Sequence, residues 1–512
     1  SSCGHTSAGS QQFFVDSGSP GMPSDSPNRG CSGANVVDVK QWFVGIIMPE
    51  FTTSLEYATK TKSGHMLKAD ALISPPSAIT TLLLKNTQQL NAPYIRLAPE
   101  EQRSCFSRVC GPLEPDSVRT CMSSLAATAL GAGALALPYA FSLTGVGLGL
   151  ATMVFAGLIS ALSLQILMVA ARYTDMKSYA GLLELACGTT VASFALDIVL
   201  LINGFGAVIC ILIFEGDFIP AILANPPSLL GLSGMELARN AAVLGAAIAA
   251  WPMTLSSNIG ALRYVSLLVP IVLTTTVAIV VFDTPRLHTA LRLAGGRVEW
   301  WNFEPRKWLQ ALAIMVNAFA NHMNAIPCVH QLSNPSVARI VKATVYGNLL
   351  VFVLLSVMGI AGYMSWGAAT QGDFLLNYPS GSLDIWLCRV MLALLVYLVL
   401  PVACFPTARS GAQLVLGALG KGPADVGPKA HAISATFIVF FSMCVASKVE
   451  NVAAVLGFLG GLLAASLMFW FPAIIYRTLL WKTQPKSFRG FVLFFIVLIA
   501  ALCWASVLIK FI

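Results

Sequence analysis

The sequence is short of charge. Of 512 residues only 11% are Asp, Glu, Lys or Arg, whereas 56% are hydrophobic, and the mean hydropathy is +0.75. A soluble domain carries about a quarter charged residues, so a chain of this size could not cover a soluble surface with so few. That excludes a cytosolic enzyme or a secreted domain and leaves a protein whose main solvent is lipid. Paired metal-ligand cysteines are missing too. Most of the twelve cysteines lie in or beside apolar runs, as at Cys187, Cys210, Cys328, Cys388, Cys404, Cys444 and Cys503. Neither zinc nor a small disulfide framework is indicated, and no metal or cofactor is expected. The sequence holds no HExxH helix and no clustered intramembrane aspartates, so it assigns no catalytic residues and does not read as an embedded enzyme. No selectivity-filter sequence or charged constriction is visible, which disfavours a channel.

What charge there is falls unevenly. Residues 1–118 hold 9 Lys/Arg and 10 Asp/Glu, so the net +8 comes from 119–512, with 22 and 13. A basic excess in an apolar region marks cytoplasmic loops rather than a nucleic-acid partner. The first 118 residues, rich in Ser, Gly and Pro near their start, show no basic region leading into an apolar one, so no cleavable signal peptide is expected. They read as a mostly disordered cytoplasmic N-terminal tail.

From 119 to 512 long apolar runs alternate with short polar punctuation. Eleven are long enough to cross a bilayer: 119–142, 144–171, 189–222, 239–257, 260–282, 306–327, 341–366, 383–408, 430–447, 450–477 and 490–511. In lipid an open chain can satisfy its backbone only as helix, so the fold class is all-α integral membrane, with eleven transmembrane helices. Residues 179–185 predict a short amphipathic helix at the membrane surface. With the tail inside, cytoplasmic connections hold 12 Lys/Arg and the outer ones 8, which favours a cytoplasmic N-terminus.

Two runs are interrupted. The first reads Leu130-Gly131-Ala132-Gly133-Ala134-Leu135-Ala136-Leu137-Pro138, and its glycines and proline ease unwinding at membrane depth. Unwound backbone there is tolerated only where it lines a wet or ligand-filled cavity, although small residues also let helices pack closely. The sixth run, Asn317-Ala318-Phe319-Ala320-Asn321-His322-Met323-Asn324-Ala325-Ile326-Pro327, places three amides and an imidazole in a span. Such groups are expensive in lipid, and four within eight residues favour a site over interhelical glue. The two spans begin 187 residues apart, and each opens a set of five, 119–282 and 306–477, with 490–511 left over. Paired interrupted helices at corresponding places point to an inverted-repeat transporter, and half-helix ends suit the carboxylate and ammonium of an amino acid.

At these residues the chain resembles the amino acid/auxin permease family, which includes vacuolar amino acid transporters and proton- and sodium-coupled neutral amino acid transporters. Gly131-Ala132-Gly133 through Pro138-Tyr139-Ala140-Phe141 and Thr144-Gly145 match its first-span signature. Phe319, His322, Pro327 and Leu332 match its sixth span, and Gly204-Phe205-Gly206, Gly362-Tyr363, Pro401, Pro406 and Gly457-Phe458-Leu459-Gly460 follow in order. The resemblance covers 119–511. It implies a LeuT-like 5+5 inverted repeat plus one extra helix, and amino acid transport by secondary active or facilitative alternating access. The substrate site would comprise Thr128, Gly131, Ala132, Gly133, Ala134, Phe319, Asn321 and Asn324. Ala127 stands where sodium-coupled members usually carry Asn, and Gln331 replaces a usual acid, which argues against sodium. If protons are used, His322 is the titrating candidate. The expected partners are an amino acid, protons and the bilayer of a plasma membrane or a vacuolar/lysosomal-type membrane. An alternative is an amino-acid sensor that uses the same site and signals through the tail.

Overall fold

In the computed structural model the described residues are 117–512, without 228–232, 256–262, 334, 379–382, 420–425, 484–485 and 510–512. Except for Ser117 and Val118, the tail expected over 1–118 lies outside the described residues. All regular structure among them is helical.

The first span starts as α1 (Val118–Ala129), capped by Ser117, whose Oγ accepts from Thr120 N–H at 3.2 Å. The helix stops at Leu130 and Gly131, tightens into a 3-10 turn over Ala132–Ala136, and resumes as α2 (Leu137–Thr144). Pro138 sits in the first turn of α2, where its missing N–H is not needed. The two halves of this span are bent by 53°. Gly145, with φ +80°, ends α2, and α3 (Val146–Thr174) follows at once. Then come α4 (Tyr179–Cys187), α5 (Thr190–Ala224), α6 (Arg239–Thr254) and α7 (Arg263–Leu293).

The second interrupted span comprises α8 (Pro305–Asn317), a non-helical stretch, a 3-10 turn over His322–Asn324, and α9 (Ala325–Gln331). After it come α10 (Val337–Trp366), a connection with a 3-10 turn over Phe374–Asn377, α11 (Leu383–Ala418), α12 (Pro428–Ala446), α13 (Val452–Leu480) and α14 (Lys486–Leu508). Three stretches of α13, Leu459–Ala464, Ser466–Trp470 and Tyr476–Leu480, are wound as π-helix. Residues 179–185 do form a helix, α4. It is no isolated surface element: Tyr179, Leu182 and Leu183 are buried, and the Tyr179 hydroxyl donates to the Leu467 carbonyl at 2.6 Å.

Eleven crossings were expected. Among the described residues nine helices are long and apolar enough to cross a bilayer, or ten if the bent first pair is one span. The remaining run, 239–257, forms α6, whose 16 residues rise about 24 Å, short of a hydrocarbon core of about 30 Å.

The two broken spans are held half against half. α1 packs on α9 and α2 packs on α8, while α10 lies against both halves of the first span. The outer ends of α2 and α8 are also joined through main chain: Val146 N–H donates to Glu299 O at 3.2 Å, Gly147 N–H to Trp300 O at 2.8 Å and Asn302 N–H to Thr144 O at 2.8 Å. A side chain at Gly145 would collide with Glu299 and Trp300, so glycine is required there for contact as well as for φ. α5 runs along α11, and Asp197 accepts from Ser410 Oγ at 3.1 Å, which pairs that buried carboxyl across the helix interface.

Gly460 sets the approach of α13 to α8. A methyl group there would overlap the backbone carbonyl oxygen of Ala313, which cannot move aside without disturbing α8. Gly460→Ala should therefore lower stability by about 1–3 kcal/mol, read as a reduced thermal midpoint of purified protein. In contrast Gly245→Ala, which meets nothing within 4 Å, should leave the midpoint unchanged or raise it.

Candidate functional site

The two interruptions meet. Asn324 Nδ2 donates to Thr128 Oγ1 at 2.8 Å, and the Thr128 hydroxyl donates onward to the Ser124 carbonyl at 2.8 Å. Thr128 is on the last turn of α1 and Asn324 is the residue before α9, so one hydrogen bond ties α1 to the start of α9 at the points where the two spans stop being helical. A second contact needs small residues: a Cβ on Gly133 would stand 3.3 Å from Ala318 Cα, so the two unwound backbones nearly touch.

Gly131 differs from Gly133. A Cβ built there meets no atom within 4 Å, and the Gly131 N–H donates to nothing among the described residues. An unpaired N–H in hydrocarbon costs several kcal/mol, so this opening beside a free donor suits an acceptor such as a carboxylate. The Gly131 carbonyl accepts from Ala134 N–H at 3.2 Å, which holds the 3-10 turn. Ala134 is buried; the Ala132 side chain lies outside the described residues.

The other expected residues turn to neighbouring helices. Phe319 is fully buried against Gly157 of α3, where a Cβ would stand 3.1 Å from the ring. Asn321 Nδ2 donates to Asn348 Oδ1 of α10 at 2.8 Å, leaving Asn321 Oδ1 and Asn348 Nδ2 unpartnered though buried. His322 is 1% exposed. Its Nε2 lies 2.8 Å from Ser163 Oγ of α3, and that hydroxyl donates to the Ser160 carbonyl at 3.1 Å. Ser163 thus links the imidazole to the backbone of α3. His322 Nδ1 has no partner. The residue borders a cavity of about 10 Å³, room for about one water, shared with Asn203 of α5, Met323, and Leu467 and Met468 of α13.

The sequence pointed to Thr128, Gly131, Ala132, Gly133, Ala134, Phe319, Asn321, Asn324 and His322, but not to their neighbours Ser160, Ser163, Asn203 and Asn348. The signal was present at Asn203 and Asn348, single amides inside apolar runs. The serines carry none, because a helix satisfies a serine hydroxyl with its own carbonyls. Among the described residues no group of three His, Cys, Asp or Glu is placed to hold a metal ion.

The family described as transmembrane amino acid transporter protein matches residues 114–512. A Toxoplasma gondii protein named as an amino acid transporter is 28% identical over 390 residues, 71% of this chain and 53% of that protein, so the match spans about half its length. Vacuolar amino acid transporter 5 of Schizosaccharomyces pombe is 28% identical over 360 residues, 69% of this chain and 82% of its own. A Danio rerio protein named as a sodium-coupled neutral amino acid transporter is 24% identical, covering 74% and 83%. A solved Na+-coupled sialic acid symporter, in a substrate-bound outward-open state, superposes with a TM-score of 0.48 at 12% identity, covering 84% of this chain and 94% of that one. At that distance it says nothing of this chain's substrate or ion.

Because Thr128 and Asn324 share one bond, their substitutions should not add. Thr128→Val and Asn324→Ala should each lower stability by about 0.5–1.5 kcal/mol, and the double variant should lose little more than the worse single one. Thermal midpoints of the four proteins in a double-mutant cycle check this.

Proposed function

The chain belongs to the transmembrane amino acid transporter family, and on that premise we propose that it moves amino acids across its membrane by alternating access, with the substrate seated between the two interruptions. The observation that carries this is the first break at Gly131, where a Cβ would meet no atom within 4 Å and the N–H has no partner among the described residues, one turn past Thr128 and its bond to Asn324. The substrate carboxylate would take the free N–H groups of the first break. Its ammonium would take carbonyls at the ends of α1 and α8, where the helix dipoles present partial negative charge. Pairing of α1 with α9 and of α2 with α8 supports an inverted relation between the halves, 119–282 and 306–477, with 490–511 as the extra helix.

Proton coupling fits this chain better than sodium coupling. Ala127 offers no side-chain oxygen at the break, whereas His322 presents a bare, buried Nδ1 beside a cavity of one water's size. The distribution of Lys and Arg supports a cytoplasmic N-terminus. The names of the yeast relatives favour a vacuolar-type membrane.

Uptake into proteoliposomes against a panel of labelled amino acids, with proton and sodium gradients imposed separately, tests the function. Transport should follow the proton gradient, and absence of transport for every amino acid would overturn the proposal. Gly131→Ala should leave expression and thermal midpoint near those of the native protein, because its methyl meets no protein atom, yet reduce uptake at least about tenfold by filling substrate space. His322→Ala should strongly reduce the pH dependence of uptake, and an unchanged profile would remove His322 from the coupling.

A further inference from the structure

The connection between α10 and α11 carries a buried carboxyl for which helix packing alone gives no reason. Its 3-10 turn, Phe374–Asn377, packs on Ala132–Ala136 of the first break, so it covers the candidate site directly. It lies on the same side as the α2–α3 turn, because Tyr363, one turn from the end of α10, accepts from Glu299 N–H at 2.9 Å, and Glu299 in turn holds Val146. Three neighbours grip the turn. Phe374 packs near Gly362 of α10, Gly372 lies against Ala453 at the start of α13, and Arg389 Nη2 of α11 donates to both the Leu375 and Tyr378 carbonyls, at 3.2 and 2.9 Å.

Asp373 begins the turn. Its Oδ1 accepts from Leu375 N–H at 3.1 Å, while Oδ2 is buried with no partner, and the residue is only 3% exposed. Asp217 of α5 and Arg389 of α11 are the charged groups that act on it. Asp217 is itself bonded to Arg239 of α6 at 3.1 Å, and Arg239 also donates to the Ala446 and Val449 carbonyls at the end of α12. Glu450, beyond α12, acts on Asp217, and Asp283 of α7 acts on Tyr378 of the same connection. A bare carboxylate oxygen closed off from water beside a second acid is a poor place for charge and a good one for a proton.

We propose that Asp373 is a proton-binding group of the transport cycle: seating the Phe374–Asn377 turn over the first break takes up one proton on the Asp373 carboxyl, and lifting the turn releases it. This rests on the transport reading for its role, although the proton uptake itself needs no substrate. Burial, with a smaller contribution from Asp217, pushes the seated Asp373 carboxyl up to about 8, against the opposing pull of Leu375 N–H and Arg389. A lifted, solvated aspartate titrates near 3.9. Since the seated form has the raised value, its advantage is whole below about pH 4, declines as pH rises, and is lost above about pH 8.

Hydrogen–deuterium exchange of peptides spanning 370–378, in purified full-length protein and corrected for the intrinsic pH dependence of exchange, reads the seating directly. Protection should fall about tenfold or more between pH 5.5 and 8.5 in the native protein, and should stay high at both in Asp373→Asn. Uptake by Asp373→Asn should lose most of its pH dependence. Protection that does not change with pH in the native protein, or that changes equally in Asp373→Asn, overturns the proposal. Because exchange needs no substrate, a failure of amino acid uptake would count against the transport function and not against this proton site.

Discussion

A peptide N–H or C=O in hydrocarbon must find a partner inside the protein, and nearly everything in this structure follows from the two places where helix no longer supplies one. At Leu130–Gly131 and at Ala318–Asn321 the main chain leaves the helical path. Each exposed group there would cost several kcal/mol against lipid. The breaks are affordable only because they face each other, near enough for Gly133 to abut Ala318 and for Asn324 to reach Thr128. One opening remains beside Gly131, and a ligand is the natural group to fill it.

The surrounding helices serve that arrangement. α10 spans both halves of the first broken helix and supplies Asn348 to Asn321, while α3 supplies Ser163 to His322 and accepts the Phe319 ring. The amides and the imidazole of the second break are thus divided: Asn324 joins the breaks to each other, and Asn321 and His322 anchor the second one to the scaffold. Grouping all of them around one ligand, as their closeness in sequence suggests, overlooks that Asn321 is bonded to Asn348 of α10 and His322 to Ser163 of α3.

Much of the fold was legible because lipid leaves a chain so few options. Each apolar run coincides with a helix, and both interruptions fall where glycine, proline and clustered amides placed them. Helix ends were less legible. The fifth run was expected to end at 282, yet α7 continues to Leu293 through Pro285 and past Asp283 and Arg286, since a helix can outlast its apolar stretch once it leaves the bilayer. The π winding of α13 left no mark in the pattern of apolar residues, which are plentiful on every side of that helix. In the site, residues that break a helical pattern could be seen, whereas their partners could not. Ser163 meets His322 across 159 residues, and a serine in an apolar helix looks the same whether it serves its own backbone or a distant imidazole.

The join between the outer ends of α2 and α8 is made of main chain on both sides, from Val146, Gly147 and Asn302 to Glu299, Trp300 and Thr144. Side chains take no part in those three bonds, so most substitutions along 144–147 or 299–302 leave them intact. Two kinds of change strike them: a proline at a donor position, which deletes the N–H, and a side chain at Gly145 or Gly147, whose Cβ would press on Glu299 and Trp300 or on Trp300 alone. The remaining positions can therefore drift in sequence while the geometry persists, and a comparison of residues alone would pass over this coupling between the two broken spans.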